Sequence, residues 1–68
     1  MEKKELIIYV SVFVKSTSSP VFISYYKDDI EEIANTKYNG LLTDAITDKL
    51  ADMFNLSDIT FTWSENGF

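Results

Sequence analysis

Glu5–Lys15 reads E-L-I-I-Y-V-S-V-F-V-K, the longest run of β-branched and aromatic residues in the chain. Read as a strand, it places Leu6, Ile8, Val10, Val12 and Val14 on one face. Ile7, Tyr9, Ser11 and Phe13 fall on the other. Both faces are mostly apolar, the pattern of a strand covered on two sides. A chain of 68 residues can lay its own helix over one face of a small sheet, but hardly over two. The stretch therefore predicts a sheet whose second face meets another body, either a second copy of the chain or a target protein.

Outward from this strand, Ser16–Pro20 (S-T-S-S-P) holds turn formers and no large apolar side chain, so it reads as a hairpin loop. Pro20 belongs at the edge of the next element, where a missing N–H is tolerable. Val21–Tyr26 (V-F-I-S-Y-Y) is the second strand, with Val21, Ile23 and Tyr25 opposite Phe22, Ser24 and Tyr26. Neither of its faces is plainly polar. On the upstream side, Met1–Lys4 is a polar, frayed lead-in.

Asp28–Asn35 (D-D-I-E-E-I-A-N) is expected to be a short acidic helix. Asp28 suits the N-cap, Glu31 completes a capping-box pattern, and Asn35 is a stop. Ile30, Ile33 and Ala34 form its narrow apolar face. Thr36–Gly40 is a linker with Asn39-Gly40 as its turn signal. Leu41–Phe54 is expected to be the long helix, with Leu42, Ala45, Ile46, Leu50, Met53 and Phe54 on one face. Asp44, Asp48 and Asp52 recur every four residues on the other. Asn55 then stops the helix, and Leu56 is placed for an apolar contact at its end. Asp58–Trp63 alternates Ile59, Phe61 and Trp63 with Thr60 and Thr62, a third strand wet on one side. Ser64–Phe68 trails off, with Phe68 either tucked or free. The expected fold is a single α+β domain of order β-β-α-α-β: a three-stranded, mainly antiparallel sheet with the long helix across one face.

Composition narrows the chemistry. The chain has no Cys, His or Arg, which excludes disulfides, thiolate or imidazole metal sites, histidine general bases and arginine phosphate clamps. Of its two glycines, neither sits in a phosphate-binding loop. No catalytic, cofactor or metal residues are therefore expected. The acids of the second helix alone lack the converging ligands that a dedicated cation site needs. Charge is uneven. Residues 1–27 carry four Lys against two Glu, and residues 28–68 carry nine acids against two Lys. Such a surface repels nucleic acid and steers toward basic surfaces, although a net charge of −5 also keeps a small protein soluble. Met1–Glu5 is charged and the apolar run after it is short, so neither a signal peptide nor a membrane span is expected and the location is read as cytoplasmic.

Two surfaces stand out as candidates. One is the acidic set Asp28, Asp29, Glu31, Glu32, Asp44, Asp48 and Asp52, with Tyr38 in the linker as a further contact residue. The other is the second sheet face, Ile7, Tyr9, Phe13, Phe22 and Tyr26, on which a homodimer would form sheet against sheet or edge to edge.

V-F-I-S-Y-Y, D-D-I-E-E-I-A and L-T-D-A-I-T-D-K-L, about half the chain, resemble the small dimeric uracil-DNA glycosylase inhibitors of some Bacillus phages. Those proteins also run an aromatic hairpin, a short acidic helix and a longer helix. In that family a Phe, the Glu after it and a Tyr three residues further on engage the enzyme. The matching positions here are Ile30, Glu31 and Ala34, of which the Glu is retained. The last strand has no counterpart. The resemblance implies a DNA mimic of phage type, whose carboxylates occupy the basic groove of a host uracil-DNA glycosylase. Two alternatives stay open: mimicry aimed at another nucleic-acid defence enzyme such as a CRISPR nuclease, and a non-catalytic assembly module whose acids only solubilise it.

Overall fold

β1 (Ile7–Val14) is the middle strand of a three-stranded sheet ordered β2-β1-β3, in a computed structural model that describes residues 6–66. β2 (Ser19–Tyr26) pairs antiparallel to one side and β3 (Ile59–Glu65) antiparallel to the other. Between β2 and β3 the chain runs through α1 (Lys27–Lys37), α2 (Leu42–Ala51) and a 3₁₀ turn (Leu56–Asp58). The order β-β-α-α-β is the expected one, and the fold is α+β. Met1–Lys4 and Phe68, expected to be a frayed lead-in and a free or tucked end, lie outside the described residues.

Register fixes the two faces. Val10 lies between Ile23 and Trp63, and Val12 between Val21 and Phe61. This side, with Ile8 and Ile59, packs on Ile30 and Ala34 of α1 and on Ala45, Ile46 and Leu50 of α2. Among the described residues, all nine buried ones are apolar. Two helices, not one, thus complete the covered side.

Several boundaries differ from the sequence expectation. The hairpin turn is Lys15–Ser18, with Ser18 at φ 52° and its N–H donating to the Lys15 carbonyl, so Ser19 and Pro20 join β2. α1 starts at Lys27, directly off β2, with Tyr26 at the N-cap and no side-chain cap. The Lys27 N–H instead donates to the Leu6 carbonyl at 2.9 Å, and Asp28 and Glu31 form no capping box. The helix runs past Asn35 to Lys37, which makes it 11 residues to the 10 of α2; neither is the short helix of a short–long pair. It ends where the Ala34 carbonyl accepts from both Tyr38 and Gly40, with Asn39 and Gly40 at φ 54° and 84°. α2 stops at Ala51 because the N–H groups of Met53 and Phe54 both turn back to the Leu50 carbonyl. Met53 therefore leaves the apolar face and is 58% exposed. Asn55 caps the 3₁₀ turn through its side chain, which accepts from the Ser57 N–H at 3.1 Å, and Leu56 is exposed instead of closing the helix.

Candidate functional site

The helix layer carries most of the acids. α1 leaves β2 with Ile30 and Ala34 turned inward, so Asp28, Asp29 and Glu32 point to water. On α2 the inward set Ala45, Ile46 and Leu50 leaves Asp44 exposed and Asp48 half-buried, and Asp52 follows as the C-cap.

The fold uses some of these carboxylates itself. Asp48 accepts from Lys37 Nζ at 3.4 Å and lies beside the Tyr38 phenol, tying α2 to the end of α1. Burial, then the neighbouring Asp48 carboxylate, raise the Tyr38 phenol above its ordinary value. Tyr38 thus anchors the linker while remaining half-buried. Glu31 lies 3.8 Å from Lys27, whose Nζ also donates to Glu65 at 2.9 Å. Chiefly that bond raises the Lys27 ammonium above its usual range. Asp58 accepts from the Ser16 N–H at 3.0 Å and from Ser16 Oγ at 2.6 Å, pinning the hairpin turn to the start of β3. Asp29, Glu32 and Asp44 are exposed, and among the described residues no ion pair holds them. Asp52 is exposed too, and its charge reinforces the burial that raises Tyr25. The sequence counted the acids of the two helices alike. The structure separates those bound into internal ties from those left to solvent.

Ile30 must be removed from the candidate contacts. It is fully buried between the sheet and α2, as is Ala34, so neither offers surface to a partner. Of the three positions carried over by resemblance, Glu31 alone reaches the surface, with 46% of its side chain exposed. The signal was present in the spacing of Ile30, Ile33 and Ala34, which had already put Ile30 on the core side.

The second sheet face is open. Ile7, Tyr9, Ser11 and Phe13 of β1 lie between Phe22, Ser24 and Tyr26 of β2 and Thr60, Thr62 and Ser64 of β3. Phe13, Phe22 and Tyr26 are exposed, Tyr9 is marginally so, and Ile7 is half-buried. A depression of about 210 Å³ lined by Tyr9, Val10, Phe22, Ile23 and Ser24 lies on this face.

Among the described residues no cluster of three or more metal-ligating acids occurs, and no helix is long and apolar enough to cross a membrane. Comparison with protein-family models, curated proteins and solved structures finds no match to the chain.

Proposed function

We infer that the protein is a small acidic inhibitor that binds a nucleic-acid-processing enzyme in place of its substrate, with uracil-DNA glycosylase as the most specific target. The observation that carries this reading is the segregation of charge. Asp29, Glu32, Asp44 and Asp52 stand exposed on two adjacent helices, while the outward strand positions carry no charge at all. Carboxylates gathered on a helix layer offer a basic groove what a phosphate backbone offers, and they speed encounter in a salt-sensitive way. The role is binding, not catalysis, and the site of action is the cytoplasm where such enzymes work.

The test is uracil excision by a bacterial uracil-DNA glycosylase titrated with the protein. Stoichiometric inhibition that weakens steeply with salt is expected. Replacing Asp29, Glu32, Asp44 and Asp52 by their amides should weaken inhibition at least tenfold without unfolding the chain, because none of the four holds the fold together. Glu31→Ala should weaken it as well. Inhibition unchanged by both sets of substitutions would remove the mimicry. Absence of inhibition would remove this target and leave other DNA-binding enzymes, captured from lysate at low salt and released at high salt, as the next candidates. A purely assembly role predicts the opposite, namely affinity that salt leaves intact.

A further inference from the structure

α1 leaves β2 without a connecting loop, so Tyr26 is at once the last outward residue of the strand and the N-cap of the helix. Three positions on, Asp29 returns to the side of the helix that Tyr26 begins. A depression of about 270 Å³ opens at this seam, lined by Ile7, Ser24, Tyr25, Tyr26 and Asp29. Its walls differ in kind. Tyr26, 53% exposed, presents a ring, and Ile7 beside it across the ladder adds aliphatic surface. Asp29 presents an exposed carboxylate that no ion pair holds among the described residues. Ser24 adds an acceptor. The Lys27 N–H goes to the Leu6 carbonyl, so by the alternation of an antiparallel ladder Tyr25 bonds across to β1 and Ser24 turns its carbonyl to the free edge.

We propose that this depression seats an arginine side chain of the partner protein. A guanidinium matches all three walls. Its flat face stacks on an aromatic ring, its fork of donors meets a carboxylate and a carbonyl, and its methylene stem covers apolar surface. An ammonium is a compact, more strongly hydrated charge and uses the ring less well. An acidic side chain would be repelled by Asp29 and by the net charge of −5.

The positive end of the α1 dipole opposes a cation here, but Asp28 and Asp29 stand in the first turn and offset it. Among the described residues no lysine of the chain takes the place. Lys27 is bonded to Glu65 and Lys37 to Asp48, Lys49 lies over the Tyr25 ring, and Lys15 follows the far end of β1. The proposal rests on the proposed function only in expecting a partner with a basic surface. What it adds is one residue type and one seat, at the seam between the open sheet face and the acidic helices.

Amide NMR spectra of the isotope-labelled full chain test the seat without any enzyme. The chain is titrated at low ionic strength with acetylated and amidated Gly-Arg-Gly, Gly-Lys-Gly and Gly-citrulline-Gly. The arginine peptide should shift the amides of Ile7, Ser24, Tyr26 and Asp29 in a saturable way, with a dissociation constant of about 1–10 mM. The citrulline peptide, of the same shape without the charge, should bind about tenfold more weakly, and the lysine peptide about threefold. Asp29→Asn and Tyr26→Leu should each weaken the arginine peptide about threefold. Circular dichroism should not change, since neither side chain caps α1 or enters the core. Tyr26→Phe, which keeps the ring, should bind as the parent does. Shifts that spread over both helices without saturating, equal binding of the lysine or citrulline peptide, or full binding by Tyr26→Leu would each overturn the proposal. A glycosylase left uninhibited while the arginine peptide binds at the seam would remove that enzyme and uphold the seat. Inhibition with no arginine peptide bound there would do the reverse.

Discussion

Asp52 caps the C-terminal end of α2, beside the carbonyls that carry the negative end of the helix dipole. An acid there is unfavourable, and its charge also opposes ionisation of Tyr25 across the gap to β2. Lys49, one turn earlier, partly offsets this, with its ammonium 5.8 Å from the Tyr25 ring centroid. Asp52→Asn should therefore stabilise the protein by about 0.3–1 kcal/mol in thermal or denaturant unfolding. On the proposed function it should also weaken inhibition. A variant that gained stability and lost nothing in binding would mark Asp52 as a solvated residue only. Asp48 makes the useful contrast. It belongs to the same four-residue series, yet Lys37 and Tyr38 hold it, so its removal should cost stability instead of adding it.

Each helix contributes to the core through very few side chains, which makes those side chains expensive to alter. α1 supplies Ile30 and Ala34, and α2 supplies Ala45, Ile46 and Leu50. A domain of this length has roughly 3–10 kcal/mol of stability in total. Leu50→Ala should remove about 2–5 kcal/mol and leave the chain largely unfolded near its thermal midpoint. Ile30→Val should cost only about 0.5–1.5 kcal/mol. Far-UV circular dichroism against denaturant ranks the two, and equal costs would mean that α2 docks no more tightly than α1. These inward residues were legible in the sequence, since period-two and period-3.6 spacing picks out Ile8, Val10, Val12, Ile30, Ala45, Ile46 and Leu50 without coordinates. The ends of the elements were not. Asp28 and Glu31 have the spacing of a capping box, but Lys27 already has a partner in the Leu6 carbonyl, and that non-local bond decides where α1 begins. Strand order was equally hidden. Nothing in Ile59–Glu65 says which flank of the sheet it joins until the path through two helices carries it across to β1. The open face was legible as a set of residues, and its lack of charge became an argument only once β3 was seen to contribute Thr60, Thr62 and Ser64 to it.

Three of the polar contacts between elements, among the described residues, contain a group whose proton is bound more tightly in the folded state. Tyr25 on β2 meets the end of α2, where its hydroxyl lies 3.8 Å from the Met53 sulfur, and burial first and Asp52 second raise its phenol. Tyr38 joins the end of α1 to Asp48 of α2, and Lys27 joins the start of α1 to Glu65 of β3. All three shifts are upward, so the sign is common to them. Above pH 10 or so the unfolded chain loses these protons while the folded chain keeps them, and stability falls as pH rises through the folded values. Below that range their contribution is complete. Thermal unfolding at fixed protein concentration should thus show a midpoint that these groups leave level from neutral pH to about pH 9 and that declines beyond pH 10. Loss of lysine protons makes the net charge more negative in the same range, so a decline alone does not identify the tyrosines. The slope does. Replacing Tyr25 and Tyr38 by Phe removes two groups that bind protons differently in the two states, and the fall of stability per pH unit should become shallower even if the double variant starts less stable. A slope unchanged by both substitutions would place the alkaline sensitivity in Lys27 and the general charge.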